Sequence, residues 1–121
     1  MEIKLNHPDY NSPAALKQIL DANGFSMQKK FGQNFLINED ARKKLVDNLD
    51  INDESTVWEV GPGLGAMTSE ILSRGANLTV FEIDRGFASL IKQFFEDYSK
   101  KDRFRVVEGD VLKTWKKQLE S

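Results

Sequence analysis

Three observations in the sequence predict an α/β fold built on a parallel sheet. Short runs rich in β-branched and aromatic residues, at 56–60, 77–82 and 104–108, alternate with stretches of helical apolar spacing. A turn with three glycines in five residues, Gly61 to Gly65, stands between the first run and the helix after it. Acidic residues lie at the end of, or just after, successive runs: Glu59, Glu82 and Asp110. With 121 residues, 40% hydrophobic and 30% charged, the chain can bury one real core without staples, which argues against disorder, collagen and coiled coil.

The elements follow in order. Ser12-Pro13 opens a first helix, because serine caps orphan amides and proline fits the first helical position. Leu16, Ile19 and Leu20 follow at helical spacing, and Asn23-Gly24 stops the helix. Phe25 to Asn38 has no clean period and is expected to be an ordered loop. Asn38 can cap a second helix with Leu45, Val46 and Leu49 on its apolar stripe and Arg42, Lys43 and Lys44 mostly off it. Asp50 to Ser55 is a polar linker. Strand one is Thr56 to Val60, and the helix after the glycine turn carries Met67, Ile71 and Leu72 to about Arg74. Strand two is Asn77 to Glu82. Asp84 caps a third long helix whose Phe87, Leu90, Ile91, Phe94, Phe95 and Tyr98 give it a wide buried face. Strand three is Phe104 to Glu108, followed by Gly109-Asp110 and a short basic helix from Val111 to about Leu119.

Composition removes several chemistries. The absence of cysteine excludes disulfide scaffolds, thiolate metal sites and thiol nucleophiles, and fits a reducing cytoplasm. The single histidine, His7, argues against a histidine-dependent triad or a multi-histidine metal site. No apolar run approaches the roughly 20 residues that span a bilayer, so no membrane role is expected and the cytoplasm is the default location. A net charge of −2 gives no global positive field, so a nucleic-acid partner would have to be met by local patches.

Chemistry concentrates at the ends of the strands. Glycines between a strand and a helix let the backbone turn sharply and approach a ligand, while the helix N-terminus offers free amides. A nucleotide-type cofactor at Gly61, Gly63 and Gly65 is the natural reading, against a tight turn that binds nothing. Gly61-x-Gly63-x-x-Ala66 also satisfies the dinucleotide fingerprint, so a NAD-type dehydrogenase fragment stays open at this point. Glu59 favours another cofactor, because a carboxylate repels a pyrophosphate but tolerates a sulfonium and an ammonium. Glu82 can accept hydrogen bonds from both hydroxyls of a ribose. Asp110 can accept from the exocyclic amine of an adenine, or can simply cap the helix at Val111. All three lie at carboxyl ends of successive parallel strands, the crevice where α/β sheets bind ligands.

Glu59-Val60-Gly61-Pro62-Gly63-Leu64-Gly65 resembles motif I of class I S-adenosylmethionine methyltransferases. Lys30-Phe31-Gly32-Gln33-Asn34-Phe35-Leu36 resembles the GQNFL element of the ribosomal RNA adenine N6,N6-dimethyltransferase family, which generic dehydrogenases lack. The resemblance runs from Phe25 to about Lys113. It implies a Rossmann-like class I methyltransferase fold with strands in the order 3-2-1, and S-adenosyl-L-methionine as cofactor, leaving S-adenosyl-L-homocysteine. It implies that Asn34 and Leu36 line the methionine end, Gly61 and Gly63 back it, Glu82 holds the ribose and Asp110 meets the adenine. Gln33, Glu59, Gly65, Ile83 and Val111 are secondary candidates. The implied activity is dimethylation of two adjacent adenosines near the 3′ end of small-subunit (16S) ribosomal RNA, with immature 30S subunits as partner. A resistance-type large-subunit methylase and a non-catalytic ribosome-assembly module are the other readings. Lys29, Lys30, Arg42, Lys43 and Lys44 are candidate phosphate contacts, although such clusters are more often solvated faces.

The chain divides into a lead helix (1–24), a cofactor-capping loop and helix (25–55) and three βα units (56–121). Family members continue to an Asn-Leu-Pro-Tyr type motif that grips the target adenine, and the 121 residues contain no such motif. Only the first half of the sheet is therefore expected, with cofactor binding but no methyl transfer. Strand one becomes an apolar edge prone to pair between chains.

Overall fold

The computed structural model describes residues 7–24 and 39–120. Lys29, Lys30, Gln33, Asn34, Leu36 and the cap expected at Asn38 lie outside these residues. Nine elements are described: α1 (Pro13–Ala22), α2 (Glu39–Asp47), β1 (Thr56–Val60), α3 (Ala66–Ser73), β2 (Asn77–Glu82), α4 (Arg85–Phe94), α5 (Glu96–Lys100), β3 (Phe104–Glu108) and α6 (Val111–Glu120). The strands form one parallel sheet in the order β1-β2-β3, the arrangement the sequence predicts. In register, Val60 stands beside Phe81 and Glu82 beside Glu108.

β2 is buried on both faces through Leu78, Val80 and Phe81, as expected of a central parallel strand. One apolar cluster joins Leu16 and Leu20 of α1, Val46 of α2, Ile71 and Leu72 of α3, Phe87 and Ile91 of α4, and Phe104 of β3. The three sequence segments thus share a single core. Ser12 caps α1 by accepting from the Ala15 amide at 3.1 Å, and Asp84 caps α4 by accepting from Phe87 at 3.0 Å. No side chain of α6 is buried among the described residues, and Leu112 and Leu119 face outward.

Two expectations are corrected. The long helix after Asp84 is broken at Phe95, whose φ of −119° and ψ of 28° separate α4 from α5. Packing overrides local periodicity here: the Phe95 ring, 1% exposed, sits against Phe104 at 5.5 Å and His7 at 5.4 Å between ring centroids. On α2 the inward stripe is Arg42 and Val46, at i and i+4, whereas Leu45 and Leu49 are exposed. Arg42 is only 5% exposed, and its Nη2 donates to Asn11 Oδ1 at 2.7 Å. Its aliphatic stem packs as an apolar side chain would and its guanidinium is satisfied internally, so it is not a surface phosphate contact.

Arg42→Ala therefore removes packing and leaves a part-buried amide without its charged donor. It should destabilise the chain by about 2 kcal/mol in urea titration. Lys44→Ala, on the exposed face of the same helix, should leave the midpoint within experimental scatter.

Candidate functional site at the carboxyl edge of the sheet

The ladder runs one residue past each strand end. The Gly61 amide donates to the Phe81 carbonyl at 2.8 Å, and the Gly109 amide donates to the Glu82 carbonyl at 2.9 Å. These bonds bring the β1–α3 turn, the end of β2 and the β3–α6 turn to one level. A hollow of about 150 Å³ opens there, edged by Val60, Gly61, Phe81, Glu82, Ile83, Gly109, Asp110 and Val111. A larger hollow, about 360 Å³, lies at the opposite ends of the strands around Thr56, Trp58, Asn77, Phe104 and Arg105, away from the glycine turn.

Gly61, Gly63 and Gly65 all have positive φ, at 68°, 59° and 93°. Gly65 has a second reason to be glycine. A Cβ there would lie 2.7 Å from a Phe95 ring carbon, 2.8 Å from Ile91 and 3.0 Å from the Tyr10 hydroxyl. Its amide is also engaged, donating to the Pro62 carbonyl at 2.9 Å. Gly65 thus seats α3 on the core, whereas a Cβ at Gly61 would meet nothing within 4 Å.

Glu82 is 6% exposed, and its Oε2 accepts from the Asp84 amide at 2.9 Å. Burial raises its pKa above the ordinary carboxylate value; the Asp84 amide opposes this, the Asp84 charge adds to it, and the Gly63 and Ile83 amides also oppose it. Ile83, beside it, is 71% exposed, so an apolar side chain and a buried carboxylate share one rim. Asp110 Oδ1 accepts from the Leu112 amide at 2.9 Å, so the carboxylate caps α6 while also lining the hollow. Glu59 lies beneath the turn, partly buried, and accepts from the Thr68 hydroxyl at 2.6 Å. Burial pushes its pKa up to about 7, with the Thr68 hydrogen bond opposing.

Of the residues singled out by sequence, Gly61, Glu82, Ile83, Asp110 and Val111 converge on the hollow, whereas Glu59, Gly63 and Gly65 are not among its lining residues. Lys43 pairs with Glu39 at 2.8 Å, and Lys44 is exposed. Sequence reasoning missed Thr68 and Tyr10. Thr68 is detectable in principle, since it shares the apolar stripe of α3 with Ile71 and Leu72 and is fully buried, so it needs a partner. Tyr10 donates to the Leu64 carbonyl 54 positions away, at 2.6 Å, a pairing no local pattern announces.

Residues 24–120 match the family described as ribosomal RNA adenine dimethylase. A ribosomal RNA small subunit methyltransferase A from Treponema denticola is 54% identical over 111 residues, covering 92% of this chain and 38% of the relative. The protein of the same name from Treponema pallidum is 45% identical over 108 residues, covering 89% and 36%. The chain thus spans less than two-fifths of the length of these curated relatives. Among solved structures, the 23S rRNA methyltransferase ErmE superposes with a TM-score of 0.51 at 28% identity, covering 63% of this chain and 30% of that one.

The Glu59 carboxyl makes stability depend on pH with a definite sign. Its folded pKa of about 7 exceeds the ordinary 4.5, so the folded state binds the extra proton between these values and stability falls as pH rises through them. The cost is fully present above pH 7, at about 3 kcal/mol. Glu59→Gln retains an acceptor for Thr68 and carries no charge. Urea titrations should show the variant more stable than the parent at pH 8, by up to that amount, and no more stable at pH 4.

Proposed function

Because the chain belongs to the ribosomal RNA adenine dimethylase family, we propose that its carboxyl edge holds S-adenosyl-L-methionine and serves N6,N6-dimethylation of two adjacent adenosines near the 3′ end of 16S ribosomal RNA. One observation carries the reading: Gly61, Glu82, Ile83, Asp110 and Val111, from three successive strand ends, edge one hollow. Their chemistry fits a nucleoside, which has apolar faces for Ile83 and Val111 and donors at its edges for Glu82 and Asp110. Glu82 accepts the ribose hydroxyls, and the amides that oppose its raised pKa favour its ionised form for that task. Asp110, already oriented by capping α6, accepts from the adenine amine. Gly61 and Gly63 back the methionine portion, and the resemblance assigns Asn34 and Leu36 to the same end.

When bound, the cofactor supplies an electrophilic methyl group on a sulfonium. The chain's own part is to bind and orient. A ligand bearing sulfonium and ammonium favours the ionised form of Glu59 under the turn, whereas a pyrophosphate opposes it. The dinucleotide reading through Ala66 is weaker on that ground. The names of the relatives, small subunit methyltransferase A, favour the small subunit over a large-subunit resistance target. Immature 30S subunits are the partner. Lys44, with Lys29 and Lys30, supplies phosphate contacts, and the net charge of −2 makes that affinity weak and salt-sensitive.

Calorimetry with S-adenosylhomocysteine and with NAD tests the cofactor. The homocysteine product should bind and NAD should not, and Glu82→Gln should weaken binding about tenfold, the cost of one charge-assisted hydrogen bond. Binding of NAD alone would overturn the assignment. The 121-residue chain, lacking the Asn-Leu-Pro-Tyr motif, should form no dimethyladenosine when incubated with S-adenosylmethionine and undermethylated small subunits.

Strand β1 generates a second expectation. Among the described residues it pairs with β2 alone, and Trp58 and Val60 on it are exposed. Chains of this length should therefore self-associate through that edge. In sedimentation the weight-average mass should rise with concentration, and a constant monomer mass would count against edge pairing.

A further inference from the structure

We propose that Tyr10 is a positioning residue for the cofactor turn, holding the Leu64–Gly65 peptide in its binding orientation. The inference rests on the cofactor reading above. A trans peptide directs its carbonyl and its amide to opposite sides. Here both ends are engaged: the Leu64 carbonyl accepts from the Tyr10 hydroxyl at 2.6 Å, and the Gly65 amide donates to the Pro62 carbonyl at 2.9 Å. Glycine at 65 removes the Cβ on one side of this peptide, so local sterics select its orientation only weakly. The two hydrogen bonds, one from the phenol and one to Pro62, select it. Rotating the peptide would bury an unsatisfied carbonyl and an unsatisfied hydroxyl.

Tyr10 is itself held. It is 5% exposed, and its ring stacks on His7 at 5.0 Å between centroids. The next residue, Asn11, accepts from Arg42 at 2.7 Å and donates to Glu39 at 3.0 Å, which fastens the segment to α2. Burial raises the phenol's pKa, with the Glu59 charge adding to it and Arg42 opposing, so it stays a neutral donor across the physiological range. The segment before α1 therefore braces the turn through Leu64, and Tyr10 is not among the residues that line the hollow. Tyr10 acts through the Leu64 carbonyl.

Tyr10→Phe keeps the ring and removes only the hydroxyl. In the variant, the ligand-free amide signals of Gly61, Gly63, Leu64 and Gly65 should move or broaden while those of β3 and α6 stay in place. S-Adenosylhomocysteine should bind about three- to tenfold more weakly, measured well below the melting temperature. A phenol that merely stabilises the fold would lower the melting temperature and leave loop signals and affinity unchanged, which would overturn the proposal. Should the variant fail to fold, the parent chain provides the readout, because it has two tyrosines. With ring-labelled tyrosine, S-adenosylhomocysteine should shift the Tyr10 signal and leave Tyr98 in place; a stationary Tyr10 signal would overturn the coupling. A parent chain that binds no S-adenosylhomocysteine would defeat the cofactor reading instead, and the ligand-free loop signals would then decide the role of Tyr10.

Discussion

The site depends first on how closely the backbone at Gly65 lies against the core. Atoms of Phe95, Ile91 and the Tyr10 hydroxyl occupy the space a side chain would need. That contact sets the start of α3, and with it the height of the Gly61–Gly65 turn above the sheet. The helix break at Phe95 lies at the same place: its ring packs beside Gly65 and 6.3 Å from the Tyr98 ring between centroids. A protein interior is too densely packed to accommodate one of these choices without the others. The glycine, the helix break and the tyrosine before α1 are therefore parts of one packing solution.

Once the turn is seated, the parallel register does the rest. Each of the glycines after β1 and β3 donates its amide to a carbonyl of β2, so the strand ends cannot drift relative to one another. Glu82 and Asp110 reach a common hollow because β2 lies between its neighbours. The residues themselves need no long-range instruction. They need only to stand at the ends of adjacent strands that run the same way, which is the general reason ligands collect at this edge of α/β sheets.

This is also why the strands, and the candidate residues that meet at their ends, were legible in the sequence. The three strands carry β-branched and aromatic runs bounded by polar residues and glycine, and Glu82 and Asp110 are placed by their position after those runs. What escaped was settled by packing across the chain. Periodicity scores arginine as polar, yet the stem of Arg42 occupies the core-facing stripe of α2 and its charge is satisfied by Asn11, 31 positions away. Leu45 and Leu49 look like that stripe and are exposed. The break at Phe95 has no glycine or proline to mark it. No local pattern marks Tyr10, and only the fold brings its hydroxyl to Leu64.

The electrostatics of the edge follow from the same burial. Glu59 and Glu82 are both pushed up by desolvation, so ionising either one without a ligand is unfavourable. The hydrogen bonds from Thr68 to Glu59 and from the Asp84 amide to Glu82 recover part of that cost and orient each carboxylate. On the proposed reading, a cationic nucleoside recovers more, because its positive charge favours the ionised form of Glu59 and its hydroxyls satisfy Glu82. A pyrophosphate in the same place would deepen the penalty at Glu59, whereas the ribose of either cofactor would satisfy Glu82. On that reading it is Glu59, beneath the turn, that favours one of the two cofactors the glycine spacing alone would admit.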